Sequence, residues 1–354
     1  MTLKLKTSLP AVICMGAILT ACGGSASKPL STAPTPPPPQ AAVLPVPSAA
    51  PEGDDFHPSN KGWFLAWSDE FLGDELDRSK WEVEKSCWGG GNEERQCYTD
   101  RPENIEVING LLRLKAYPET YTGPQYPQGW PDGSGGQITQ QYTSGKVRTR
   151  ALADWTYGRF SARMKLPKGQ GTWPAFWMMP IDNVYGGWAA SGEIDIMEAV
   201  NLGATCGECS GSEGENRTLG ALHYGGVSPQ NKFQSSRNTI PGGENSKDDY
   251  HVYAVEWGED QINWFVDDEL FWSLDSSEWE SGAVSKETHP HAPFDQNFYL
   301  MLNLAVGGRL SEDNNAGGFV ANNFPAEVLV DWVRVYQCDY DGASSQNCMA
   351  EANQ

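Results

Sequence analysis

Positive charge is scarce in this chain: its 354 residues include 25 Lys and Arg against 46 Asp and Glu, for a formal net charge of −21. Such acidity repels polyanions and leaves no basic stripe, which excludes nucleic-acid binding and disfavours a polyanionic substrate while leaving neutral polymers open. Long apolar runs are missing as well. The mostly apolar stretch from Leu9 to Leu19 is too short to span a bilayer comfortably. No segment holds a long helical period and no repeat of 20 to 50 residues is present, so helical bundles and solenoids are excluded. Zinc-ligand spacing stops at Cys206-Gly-Glu-Cys209, with no second CxxC or HxxxH nearby to complete a site.

What is present begins with an export signal. Lys4 and Lys6 precede the apolar run, and residues 1–21 have the shape of a secretory signal peptide. They end in Leu19-Thr20-Ala21-Cys22, which resembles a bacterial lipobox and implies cleavage before Cys22 with lipid attached there. Gly23 stands where an Asp would hold such a protein at an inner membrane. In a Gram-negative host the expectation is therefore an outer-membrane lipoprotein, on the periplasmic or the cell-surface face. Residues 22–58 are rich in Pro, Ala and Ser, including Pro36 to Pro39, and read as anchor and semi-rigid linker. A single domain follows over 59–338, then a polar tail over 339–354; no second linker divides them.

Export fits the cysteines. Setting aside Cys14 in the signal and Cys22 at the anchor leaves six, in three close-spaced couples. In an oxidising compartment these predict disulfides Cys87–Cys97, Cys206–Cys209 and Cys338–Cys348.

Strand candidates are numerous: Leu111 to Tyr117, Ser144 to Arg150, Tyr157 to Leu166, His251 to Trp257, Gln261 to Val266, Phe298 to Leu304 and Val328 to Tyr336. Together with 38 glycines they predict an all-β, two-sheet antiparallel sandwich. One stretch stands apart. In Ser191 to Val200, Glu193, Asp195 and Glu198 alternate with Ile194, Ile196 and Met197. Strict alternation would send Glu198 to the face opposite Glu193, unless a bulge near Met197 re-aims it. The glutamates would then stand effectively four positions, ~13 Å, apart along the strand. Long side chains leaning together over a curved sheet could narrow that toward the roughly 5 to 5.5 Å of a retaining glycosidase pair. From these residues alone, a solvated acidic face, a Ca²⁺ site and a catalytic site all remain open. Trp173, Trp177 and Trp188 lie close by in sequence, as core residues or as platforms for the apolar faces of sugar rings.

The chain resembles the family 16 glycoside hydrolases, and within them the laminarinase-like endo-β-1,3-glucanases. The resemblance runs through Trp67-Ser-Asp-Glu-Phe71, Gly91-Asn-Glu-Glu-Arg-Gln-Cys-Tyr-Thr99, Tyr157-Gly-Arg159, Trp173 to Met178, Gly192 to Glu198, Leu222-His-Tyr-Gly-Gly226, His251 to Trp257, Asn303 to Gly308 and Val330 to Tyr336. It implies a β-jelly-roll with a concave cleft and no cofactor for catalysis. Glu193 would be the nucleophile, Glu198 the acid/base and Asp195 the helper carboxylate between them. Asn92, Trp173, Trp177, Trp188 and His223 would contact the sugar, while His251 is structural. It further implies a structural Ca²⁺ held by Glu70 and Asp331 and β-glucan as partner; a monomer is expected, and the lipobox adds a membrane through Cys22. Two departures bear on linkage preference: Asn92-Glu93-Glu94 replaces the usual Asn-Asn-Glu, and Arg309-Leu310 replaces Trp-Pro after Gly307-Gly308. Mixed-linkage glucan and agarose are therefore alternative substrates, although Met197 counts against the shorter ExDxE spacing of licheninases. A glucan-recognition protein without activity is the alternative class, and such relatives typically lack the two glutamates.

Overall fold

Apolar alternation becomes two stacked sheets in the computed structural model, which describes residues 44–45, 62–130, 135–207, 209, 214–242, 249–314, 317–338 and 345–349. The expected signal peptide, Cys22, most of the linker and most of the tail lie outside the described residues. The larger sheet has ten strands in the order Glu269–Asp275, Gln261–Val266, His251–Trp257, Gly158–Lys165, Ala326–Cys338, Leu111–Pro124, Gln137–Ser144 and Gln96–Tyr98. Trp63–Asp69 also pairs with Ala326–Cys338, and Ile105–Ile108 with Leu111–Pro124. The smaller sheet orders seven strands as Asn231–Thr239, Arg217–Gly225, Glu193–Glu198, Thr172–Pro180, Phe298–Val306, Lys146–Arg148 and Glu82–Val83. Neighbours are antiparallel except Gln96–Tyr98 against Gln137–Ser144. The expected all-β sandwich is what forms.

Between the sheets, Phe176, Ile194, Leu222 and Leu302 of the smaller one share a core with Leu114, Phe160, Val255 and Val330 of the larger. Each such side chain contributes about 1.5–3 kcal/mol by leaving water. One expected strand divides. Ser144 ends a strand of the larger sheet and Lys146 begins one of the smaller, so the Ser144 to Arg150 run crosses from layer to layer at Gly145. A Cβ at Gly145 would stand 2.6 Å from the Asn104 carbonyl oxygen, which reserves the crossing for glycine. The three disulfides pair as the cysteine spacing predicts.

Candidate active site

Glu193–Glu198 sits between Thr172–Pro180 and Arg217–Gly225, with Glu193 opposite His223 and Asp195 opposite both Trp177 and Ala221. Register with both neighbours then slips after Asp195: Met197 faces Phe176 on one side, and Glu198 faces Leu219 on the other. This is the expected bulge. It lets Ile194, Ile196 and Met197 enter the core while Glu193, Asp195 and Glu198 all line a cleft of about 750 Å³. An acidic face made only for solvation is thereby set aside, because Asp195 and Glu198 are buried.

The carboxylates are held by aromatic N–H groups. Trp173 Nε1 donates to Glu198 Oε1 at 2.9 Å, and Trp188 Nε1 to Glu193 Oε2 at 2.6 Å. His223 Nε2 lies 3.3 Å from Asp195 Oδ2, while the Asp195 carbonyl accepts from Trp264 Nε1 at 2.9 Å. Burial, reinforced by the Asp195 charge, pushes Glu193 up to about 7 and Glu198 up to about 8. His223 behaves oppositely: against the cost of its own burial, Asp195 and the glutamates push it up to about 9. Glu193, Asp195 and His223 bring their donor atoms within 4.8 Å of one another, which is close enough for a metal. Asp195 and the glutamates raise the proton affinity of His223, so a proton competes with any metal for its nitrogen.

The five residues expected to contact sugar, Asn92, Trp173, Trp177, Trp188 and His223, all line this cleft. Trp177 is oriented by its Nε1 donating to Asn303 Oδ1 at 2.7 Å, and Asn303 in turn donates to the Tyr98 hydroxyl at 3.1 Å. His251 lies in the larger sheet, its Nδ1 2.6 Å from Asp267 Oδ2, in keeping with a structural role. Several cleft residues escaped sequence reasoning. Phe233, 64% exposed, stacks on His223 with centroids 5.7 Å apart. Lys146 lies over the Trp177 ring at 4.8 Å and 3.3 Å from Glu84. Glu94 is buried, and desolvation raises its pKa. The signal for Phe233 was an aromatic in an otherwise polar alternation, Asn231 to Thr239.

The two departures from the family pattern meet in space. Arg309 Nη2 lies 2.5 Å from Glu93 Oε1, and the Arg309 N–H donates to the Asn92 carbonyl at 2.8 Å. A charged pair at the cleft rim thus occupies the two positions at which the family usually has Asn and Trp. The calcium expectation does not fit the donors as they stand. Glu70 is engaged by Arg334 through two hydrogen bonds of 3.0 and 2.9 Å, and Asp331 by Arg163 at 2.6 Å. Carboxylates committed to guanidinium groups are poor members of a Ca²⁺ shell. Cys206 and Cys209 are oxidised to a disulfide, and Glu215 pairs with Arg217 at 2.8 Å, so the zinc reading there fails as well.

A carboxylate pair in an aromatic cleft on a jelly-roll sheet is the arrangement of a glycoside hydrolase, and comparison with known proteins makes the assignment specific. Residues 64–338 match the family model described as "Beta-porphyranase A-D, GH16 domain". The glucan endo-1,3-beta-glucosidase A1 of Niallia circulans is 41% identical over 293 residues, covering 80% of this chain and 39% of that protein. A beta-glucanase of Rhodothermus marinus is 38% identical, covering 80% of this chain and 89% of its own length. The X-ray structure of the laminarinase from Rhodothermus marinus superposes with a TM-score of 0.62 at 36% identity, over 78% of this chain and 98% of that one. The chain belongs to glycoside hydrolase family 16.

Proposed function

We propose that this protein is an endo-β-1,3-glucanase that hydrolyses laminarin-type glucan with retention of configuration. The observation that carries the reading is the bulge, which delivers Glu193 and Glu198 from one strand into one cleft. Ionised Glu193 attacks the anomeric carbon as Glu198 protonates the departing oxygen, giving a glycosyl-enzyme and a free chain end. Glu198 then takes a proton from water, whose oxygen displaces Glu193 and restores both groups. Burial and the neighbouring charge raise the proton affinity of both glutamates, which suits a site where one must hold a proton for the leaving oxygen. Asp195 stands between them in the strand, with His223 Nε2 3.3 Å from its Oδ2. His223 Nδ1 is buried with no protein partner among the described residues, which leaves it for a sugar hydroxyl.

The neutral-glucan reading draws on the Niallia and Rhodothermus relatives and on the cations lining the cleft, two of which are compensated: Lys146 by Glu84 and Arg309 by Glu93. A galactan is the second reading, favoured by the description of the matching family model. Reducing-end release from laminarin, mixed-linkage β-glucan, agarose and porphyran, with Glu193→Gln as control, separates them. Laminarin should be cleaved fastest; a preference for agarose or porphyran would move the substrate and keep the acids. Export and anchorage through Cys22 belong to the same proposal, supported by Leu19-Thr20-Ala21-Cys22 and by the three disulfides. Cys22→Ser should release the protein from the membrane fraction, and unchanged partition would refute the anchor.

A further inference from the structure

Beside the cleft, packed on one of its lining residues, stand aromatic rings that no step of the hydrolysis uses. Trp88 lines the cleft, and its ring packs on Trp130 with centroids 4.9 Å apart. Trp130 lies nearly parallel to Tyr126, at 6.0 Å with 6° between the planes. These rings are not part of the core between the sheets, and Trp130 is 36% exposed. An aromatic cluster that opens to solvent beside a substrate cleft calls for an occupant. The cluster is also held in place. Cys87, which precedes Trp88, is bonded to Cys97, and its N–H points to the carbonyls of Pro124 at 2.9 Å and Gln125 at 3.2 Å. Trp130 N–H donates to the Pro127 carbonyl at 3.1 Å, and a Cβ on Gly123 would stand 3.0 Å from Cys87 Sγ. Rings ordered in advance lose little freedom when a ligand arrives.

We propose that Trp88, Tyr126 and Trp130 form an additional sugar-binding platform, on which further hexose rings of the polymer occupying the cleft stack their C–H faces. The platform rests on the reading of the cleft as a site for a neutral polysaccharide. It gives the Cys87–Cys97 disulfide a task, which is to fix the backbone carrying Trp88 to the strand Gln96–Tyr98. Its consequence is a dependence on chain length: long chains reach the platform and short ones do not.

The test is kcat/KM of the full chain and of Trp130→Ala on laminari-oligosaccharides of increasing length. The variant should lose about tenfold on long oligomers, equivalent to about 1.4 kcal/mol, and stay within about twofold on the shortest oligomer cleaved. Trp130→Phe should recover most of the loss, and Trp88→Ala should show the same length dependence. A loss equal at all lengths, or none at any, overturns the platform. Should the wild type cleave another polymer of the panel and not laminarin, the glucan reading fails, and the same series cut from that polymer decides the platform. Should it cleave none, affinity electrophoresis in the four polymers decides: weaker retardation of Trp130→Ala supports the platform, and equal or absent retardation overturns it.

Discussion

The acidic strand Glu193–Glu198 and the larger sheet hold several of their acids in opposite ways. In the larger sheet acids face guanidinium groups: Arg159 lies 2.9 Å from Glu256, Arg163 2.6 Å from Asp331, and Arg113 within 2.8 Å of both Glu106 and Glu327. In the smaller sheet the partners of Glu193, Asp195 and Glu198 are indole N–H groups and one histidine. Guanidinium pairing keeps a carboxylate ionised and tied down. An indole N–H satisfies one oxygen without cancelling the charge, so burial is left to raise the proton affinity. The same β alternation therefore yields scaffold pairs at some strands and reactive groups on Glu193–Glu198.

Breaking that contrast should have its largest effect on rate at the unpaired acids. Glu193→Gln and Glu198→Gln should each lower kcat by a factor of about 10²–10⁴ or more in reducing-end assays, with the melting temperature at pH 8 unchanged or raised. The sign follows from linkage. Both folded pKa values lie above the ordinary glutamate value of 4.5. The stability these groups add is thus full below pH 4.5 and is lost as pH rises toward 8. The double variant should gain on the wild type across that window. Arg159→Met should do the reverse, removing the guanidinium that buried Glu256 faces. It should cost about 3–5 kcal/mol in denaturant melts while kcat of the folded fraction holds.

Smaller effects should sharpen the comparison. The Trp173 N–H lowers the pKa of Glu198, so Trp173→Phe should carry the alkaline limb of the pH–rate profile upward by about 1–2 units, the worth of a hydrogen bond to a charged acceptor. Arg309→Ala should be the mildest. Arg309 and Glu93 are both well exposed, and such a pair adds at most about 1 kcal/mol. Thermal melts should barely move, while the ratio of laminarin to mixed-linkage activity should respond, since the pair stands at the cleft rim.

What could be read in advance was local. The acid alternation with its bulge, the three disulfides and most long strands are short-range patterns of period two or of close spacing, and the structure reproduces them. Boundaries set by tertiary contact were not legible: Leu111–Pro124 runs past Tyr117, and the Ser144 to Arg150 run changes sheet at Gly145. Nor was the meeting of Glu93 with Arg309, whose positions are 216 residues apart and are joined only by the fold. The calcium expectation treated Glu70 and Asp331 as free donors, because nothing in their own neighbourhoods names the arginine each one faces. Phe233 was missed for a related reason: its strand lies at the sheet edge and is too polar to register as a strand by hydrophobic pattern.

The central claim is that the bulge gives one strand both a nucleophile and an acid/base, and azide rescue tests it most directly. With an activated aryl β-glycoside and azide, Glu193→Ala should yield the α-glycosyl azide, because azide enters through the space the nucleophile vacates. Glu198→Ala should yield the β-glycosyl azide, because azide replaces water on the intact glycosyl-enzyme. NMR of the two products distinguishes them. Azides of the opposite configurations, or rescue of neither variant while both remain folded, would contradict the assignment.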